Sequence, residues 1–399
     1  MRYSEDSFLN PKSIRLEKSF QKLDSLRRIN GGYLASPNPG KPGGIGKYNV
    51  FWLRDIMYAT YANEYLGNMQ PMMKSFELVI TIMMKHREHI CRAIKRMPDK
   101  ALHARYHPNT LEEISPDWGH HQLDVLGFFL YKTGDLIQKG HNVIKTSEQR
   151  ELIKDVIQYL FTYRWETHPD FGMWEEGPEV HSSSVGAVLA GLTMWHDAGH
   201  YDYKYKYDMN LSKIVPVSER YFDTGRKILL KLLPRESVSK ECDLAQLSLI
   251  WPYNIVNDEM KKTIINNVET QLLRKQGVIR YKGDHYFNAD QNNKIGNEAE
   301  WPLGIIWLSI VRNKLAAWGN NLEESLEHLK KSREYLKKID ELMVDDCIPE
   351  LYAAGKANEN LPLAWAHSFH VIALQSFINT IEALRQRHNI DINEDLNKI

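Results

Sequence analysis

The chain has 399 residues, and its 51 lysines and arginines equal its 51 aspartates and glutamates. That balance removes the electrostatic case for nucleic acid or an anionic membrane as a partner. Three widely spaced cysteines (Cys91, Cys242, Cys347), no apolar run near the roughly 18 residues of a membrane span and no apolar core behind Met1 lead us to expect free thiols and a cytoplasmic location.

Helical periodicity dominates. It predicts twelve helices: Pro11–Ile29, Val50–Tyr65, Pro71–Ala93, Asp117–Tyr131, Thr146–Tyr163, Ser182–Trp195, Val217–Leu233, Asp243–Trp251, Asn257–Leu273, Glu298–Val311, Leu322–Met343 and Leu363–Gln386. Little besides Gly277–Tyr281 has an extended pattern. The stretch richest in Pro, Gly and Ser, Gly31–Gly46, is a loop near the start rather than a linker, so one domain over 1–399 is expected. The odd-numbered helices are amphipathic and charged, as in Ile14–Leu23 and Leu326–Tyr335. The even-numbered ones are apolar nearly all round, as in Val185–Met194 and Leu303–Ile310. Alternating outer and inner helices predict an all-α fold, an (α/α)6 barrel; a long helical solenoid shows a similar alternation.

Polar and aromatic residues gather at or just before the even helices. Trp52-Leu-Arg-Asp55 opens the second and Asp117-Trp-Gly-His-His-Gln-Leu-Asp124 the fourth. Trp174-Glu-Glu176 precedes the sixth, Asp243 begins the eighth, and Glu300-Trp301 opens the tenth. Glu350-Leu-Tyr352 precedes the twelfth, which carries Trp365. In a barrel these positions share one end of the inner ring, where helix N-termini offer unpaired N–H groups. Six of the ten tryptophans (Trp52, Trp118, Trp174, Trp251, Trp301, Trp365) lie in or near these segments. Flat rings beside carboxylates, an arginine and amides suit a sugar, although core packing is the ordinary use of any single tryptophan. Glu175 and Glu176 repel when both are ionised, and an apolar setting disfavours charge further, so one of them can keep its proton near neutral pH. A general acid needs that property. Glu350 is the candidate counterpart.

Taken in order, these motifs resemble glycoside hydrolase family 15, the glucoamylase family, and its relatives, the glycosidase-like domains of phosphorylase kinase α and β subunits. Trp52-Leu-Arg-Asp55 matches an aromatic-x-Arg-Asp motif, and Trp118-Gly-His-His-Gln-Leu-Asp124 matches Trp-Gly-x-x-Gln-x-Asp. Trp174-Glu-Glu176 matches the general-acid motif, Arg280-Tyr281 an Arg-Tyr motif, and Pro349-Glu-Leu-Tyr352 with Pro362–His367 the general-base region. Leu102–Tyr106, Ser183–Gly186 and Glu300–Leu303 are similar to the kinase-subunit branch. The match runs from about Tyr48 to His370.

The resemblance implies an (α/α)6 barrel and an inverting, exo-acting α-glucosidase with Glu175 as general acid and Glu350 as general base. Inversion calls for carboxyls about 6.5–9.5 Å apart. It assigns Arg54 and Asp55 to the non-reducing-end glucose, Trp118 to support of the acid, and Glu176 and Arg280 to the next sugar. Trp52, His120, Gln122, Asp124, Trp174, Trp301 and Trp365 complete the sugar-binding set. No metal or organic cofactor is implied, and the partner is a small oligosaccharide. With no β-sandwich domain or starch-binding module expected, short soluble oligosaccharides are favoured over granular starch, α-1,4 or α-1,6 linked, with the α,α-1,1 bond of trehalose also open. Alternatives stand beside each role: Arg54-Asp55 as a surface pair, Glu176 as the acid, Glu350 as a helix cap. A different class altogether is a non-catalytic, sugar-binding regulatory protein of the kinase-subunit type.

Other motifs carry less. His120 and His121 point about 100° apart on a helix and make a poor metal pair; one is expected to face sugar and the other to pack. His86 and His89 invite a zinc reading, but a solvated charged face is the favoured one. Gly40–Lys47 is glycine-rich yet lacks the spacing and the Ser or Thr of a phosphate loop.

Overall fold

The structure, a computed structural model, describes residues 14–38, 48–97, 102–114, 118–198, 219–287 and 296–389. In chain order its elements are α1 (Ile14–Ser25), β1 (Phe51–Trp52), α2 (Leu53–Tyr65), α3 (Met69–Lys85), α4 (Arg87–Ile94), β2 (Arg105–Tyr106), α5 (Leu123–Gln138), α6 (Ser147–Thr162), α7 (Ser182–Ala198) and α8 (Glu219–Leu232). A 3-10 turn (Leu244–Leu249) follows, then α9 (Asp258–Asn267), a π turn (Val268–Leu272), α10 (Pro302–Trp318), α11 (Leu322–Leu342), the hairpin β3 (Tyr352–Ala353) and β4 (Lys356–Ala357), and α12 (Ala364–His388). The predicted starts at Pro11, Asp117 and Val217 and the Gly40–Lys47 loop lie outside the described residues.

The predicted helices recur with differences: the ninth turns into a π turn after Asn267, the tenth runs Pro302–Trp318, and three others change more. The third is broken at His86 into α3 and α4. The eighth is a 3-10 turn rather than an α-helix: Asp243 starts it with a capping box to Gln246, and Pro252, which disfavours helical backbone in the residue before it, follows soon after. The fourth starts at Leu123, with Gln122 as its N-cap, instead of at Asp117. The solvated face expected for His86 and His89 is also corrected, because His86 is only 7% exposed.

The chain divides into two compact units, one of residues 52–57 and 73–264 and the other of residues 1–51, 58–72 and 265–399. In the first, α5 and α7 form the centre and both are buried on nearly all sides. They cross where neither has a side chain. A Cβ on Gly127 would meet the backbone of Ala187 at 2.5 Å, and one on Gly191 would meet the Gly127 carbonyl at 2.5 Å. The 3-10 turn and α8 pack on α7, and α4 packs on α6. Thr146 accepts from the Gln149 N–H to begin α6 with a capping box.

The second unit is built on α10 and α12. Residues 363–378 are buried throughout except Gln375, whereas α11 buries only a stripe of Ser325, Leu329, Ser332, Tyr335, Leu336 and Ile339. Burial of every third or fourth residue marks an outer helix. A deep aromatic cluster joins Tyr58, Trp307, Trp365 and Phe369, with Trp365 stacked on Tyr58 at 5.4 Å. α1 is tied to α12 through Ser19, which lies 3.0 Å from His367 Nδ1 and 3.1 Å from His370 Nδ1.

Candidate active site

Each unit contains one buried carboxyl from the predicted acid–base set. In the first, Glu175 sits in the turn that precedes α7, with φ 54°. That left-handed conformation is uncommon outside glycine and is held here by neighbouring contacts. The Glu176 N–H donates to Phe171 O at 3.0 Å, and the Phe171 N–H to His121 O at 2.9 Å. Gly119 lets the chain approach so closely that a Cβ there would meet Glu175 O at 2.9 Å. The side chain is only 10% exposed. Its Oε1 accepts from Arg54 Nη2 at 2.5 Å and from Gln122 Nε2 at 2.8 Å, and the same amide reaches Gly172 O at 2.9 Å. Burial pushes the Glu175 carboxyl up to about 7; Arg54 and Gln122 oppose the shift, and the charges of Asp124 and Asp55 add to it. Arg54 also lies 3.6 Å from Asp124, and Asp55 is 5% exposed. Arg54 and Asp55 are therefore buried, not a surface pair.

The neighbouring acid has a different fate. Glu176 accepts from Lys240 Nζ at 3.0 Å, with the ammonium also 3.7 Å from Asp243. Burial lowers the Lys240 pKa, but Asp243 and Glu176 outweigh it and raise it, so the lysine is a cation. Each of the two neighbouring acids thus has its own cation, Lys240 for Glu176 and Arg54 for Glu175. Trp174 Nε1 donates to Asp243 Oδ1 at 2.8 Å, fixing the indole beside this pair.

A third group of contacts surrounds Trp118. The Arg105 guanidinium lies over its ring at 4.0 Å and 5.7 Å from that of Trp52, and the two indoles meet edge-on at 6.0 Å. His120 is buried; its Nδ1 accepts from the Ala104 N–H at 3.2 Å and its ring stacks on His103 at 3.8 Å. His121 packs against Tyr159, Tyr163 and His168, and burial with the nearby His168 lowers it to about 4, keeping it neutral.

In the second unit Glu350 is fully buried. Its Oε2 accepts from Asn358 Nδ2 at 2.6 Å and Asn360 Nδ2 at 2.8 Å, and its Oε1 accepts a short hydrogen bond from Tyr48. Tyr286 lies 3.0 Å from the Tyr48 hydroxyl. Burial raises the Glu350 carboxyl, while these donors and the Arg280 charge pull it back. Its backbone is clamped: the Glu350 N–H donates to Asn360 O, and the Ile348 N–H to His367 Nε2 at 3.0 Å. That bond assigns the proton to His367 Nδ1, which faces Ser19. Arg280 makes a two-point pair with buried Asp284, at 2.7 and 2.6 Å, and lies 5.3 Å from the Trp301 ring. Trp365 belongs to the aromatic cluster above and is 5% exposed.

The sequence does not single out Tyr48, Asn358 and Asn360 on Glu350, or Lys240 and Arg105 around the tryptophans, and it points to Asp243 only as the start of the eighth helix. Nor does it single out Asp170, whose Oδ2 accepts from the Leu123 N–H and the Ser184 hydroxyl, each at 2.9 Å, and so joins the starts of α5 and α7. Burial pushes its carboxyl up to about 7 against the charge of His181. The adjacency of Tyr48 to the Trp52 motif, and of Asn358 and Asn360 to Pro362–His367, was the only available signal.

Solved glycosidases share this architecture over nearly the whole chain. A wild-type glycosidase aligns with TM-score 0.69 and 18% identity, covering 95% of this chain and 100% of that one. A glucoamylase from Saccharomycopsis fibuligera aligns at 0.66 with 14% identity, covering 92% and 94%. The fold is thus a glucoamylase-type (α/α)6 barrel. The model of "Glycosyl hydrolases family 15" matches residues 20–389, and the chain belongs to that family. Among curated proteins, it is 26% identical over 345 residues to a probable phosphorylase b kinase regulatory subunit alpha of Caenorhabditis elegans, covering 75% of this chain and 27% of that protein. A probable beta subunit of Drosophila melanogaster is 28% identical over 303 residues, covering 68% and 26%. The chain therefore spans about a quarter of the length of these relatives. Among the described residues, no helix is long and apolar enough to cross a membrane.

Proposed function

We propose that the protein is an inverting, exo-acting α-glucosidase that releases β-D-glucose from the non-reducing ends of short α-1,4- or α-1,6-linked gluco-oligosaccharides. The observation that carries this reading is the Glu175 carboxyl, pushed up to about 7 within a cage of Arg54, Gln122, Asp55 and Asp124. A carboxyl half protonated near neutral pH is suited to donate its proton to a glycosidic oxygen. In this mechanism Glu350 removes a proton from the water that attacks the anomeric carbon, and the configuration inverts. Two amides and a tyrosine hydroxyl align its carboxylate for that task. Arg54 and Asp55 bind hydroxyls of the terminal glucose. Trp118, steadied by Arg105 and Trp52, and Trp174, tied to Asp243, offer ring faces to sugar. Glu176, Arg280 and Trp301 serve the following residue, while His120, Gln122, Asp124 and Trp365 hold their neighbours in place. Support also comes from the solved relatives, which include a bacterial glucoamylase complexed with acarbose. The free thiols accord with work in the cytoplasm.

A second reading has its own support: the curated relatives named above are regulatory subunits of a kinase. In that reading the same residues bind a sugar without cleaving it. Proton NMR of the protein with maltose, isomaltose, their longer homologues and trehalose separates the two. Early β-glucose is the expected result. Early α-glucose overturns inversion, and sugar binding without any glucose release turns the choice to the regulatory reading.

A further inference from the structure

We propose that His86, His89 and Glu113, with His103 beside them, form a binding site for a single Zn2+-class transition-metal ion that fastens segment 102–114 onto the junction of α3 and α4.

The helix break brings the donors together. His86 lies between α3 and α4, and its position three residues before His89 puts both rings on one side of the junction. Segment 102–114 doubles back on itself, with Tyr106 bridged to Glu113 and the Ile114 N–H donating to Arg105 O. This turn presents the Glu113 carboxylate to both histidines. Glu113 Oε1 lies 3.6 Å from His86 Nδ1 and 3.3 Å from His89 Nδ1, and Oε2 lies 3.4 Å from His103 Nε2. Donor atoms of His86, His89 and Glu113 all fall within 4.8 Å of one another.

These separations are longer than a good N–H···O hydrogen bond, which spans about 2.7–3.2 Å. The three histidine–glutamate separations match the edge of a tetrahedron around zinc, which bonds of about 2.0–2.2 Å make roughly 3.3–3.6 Å long. The tautomers agree. His86 Nε2 lies 2.8 Å from Leu111 O, and a carbonyl only accepts, so Nε2 carries the hydrogen and Nδ1 turns its lone pair towards Glu113. A metal-bound imidazole has this arrangement, its second nitrogen fixed by a carbonyl. His89 Nδ1 is buried and makes no hydrogen bond. A neutral imidazole lone pair facing a carboxylate, as at His86, is repulsive until a proton or a cation lies between them, and the Nδ1 atoms of both histidines converge on Glu113 Oε1. Nitrogen donors with a carboxylate select Zn2+ and its late first-row neighbours over Mg2+ or Ca2+.

The site also has a place in the unit that holds Glu175. Segment 102–114 carries His103, stacked on His120, and Arg105, which covers Trp118. A bound ion would brace the backbone that positions Arg105, so these ligands are positioning residues, remote from the reacting bond.

The test uses the full chain, stripped of metal by chelator dialysis, and Zn2+ alone as the probe. Calorimetric titration is expected to give one tight site per chain and a rise in the thermal midpoint. Co2+ in place of Zn2+ is expected to show the intense visible bands of tetrahedral nitrogen–oxygen coordination. His89→Gln and Glu113→Gln should each weaken Zn2+ binding on the order of 100-fold or more, with the far-UV circular dichroism of the metal-free protein unchanged. His89 is 28% exposed, so its replacement leaves the core intact. His168→Gln, in the separate cluster around His121, should bind Zn2+ like the parent. Absence of stoichiometric Zn2+ binding by the parent chain, or binding unaffected by both His89→Gln and Glu113→Gln, overturns the site.

Discussion

Glu175 and Glu350 are both buried glutamates, yet their surroundings are opposite in kind. Glu175 has a cation and an amide on one oxygen and two further acids nearby. Glu350 has three neutral donors shared between its two oxygens. The first setting leaves the proton easily gained and lost near neutral pH. The second spends its hydrogen bonds on aiming a carboxylate. The contrast teaches that burial alone does not define a carboxyl's setting; the charge and number of donors on each oxygen differ between the two.

The strongest way to break the comparison is to remove each carboxyl in turn. Glu175→Gln and Glu350→Gln should each lower kcat by about 10²–10⁴-fold, with sugar binding retained in calorimetry. Equal, near-parental rates would erase the distinction. Next in size is Arg54→Met. It leaves Glu175 and Asp124 without the cation between them, and loss of one partner from such a buried set costs about 3–5 kcal/mol in denaturant unfolding. A pH series sharpens the acid side. Because the folded Glu175 carboxyl is raised to about 7 from its ordinary value of 4.5, its contribution to stability is present below the lower value and lost as pH rises through the higher one. Glu175→Gln should therefore raise stability at pH 8, by up to about 3 kcal/mol, and leave it little changed at pH 4. The smallest effect belongs to the base side. Tyr48→Phe removes one of three donors on Glu350 and should cost about 1 kcal/mol, or several-fold in kcat, with the acidic limb of the pH–rate profile moved to higher pH. Loss as great as that of Glu350→Gln would mean that the tyrosine does more than align.

The helices were legible because their evidence is local. The Thr146–Gln149 capping box and the serines that open α7 are written in adjacent residues, and the helix starts there fall within a residue of expectation. The break at His86 was not legible, since no glycine or proline marks it. The motif residues around Glu175 could be named because Arg54, Gln122 and the acid each sit in a recognisable pattern. Their partners could not. Lys240 follows Glu176 by 64 residues and Tyr48 precedes Glu350 by 302, and such pairings are fixed by the packing of whole helices. The same holds for Glu113, which nothing in the sequence joins to His86 and His89.

The crossing of α5 and α7 has a consequence for that acid. Gly127 and Gly191 act like the rivet of a pair of scissors: Gln122 lies at the tip of one blade, and the Trp174–Glu176 turn leads into the tip of the other. Even one methyl group at the rivet must pry the blades apart. Gly127→Ala would alter the grip on the Glu175 proton from inside the helix pair, with every residue of the acid's cage unchanged.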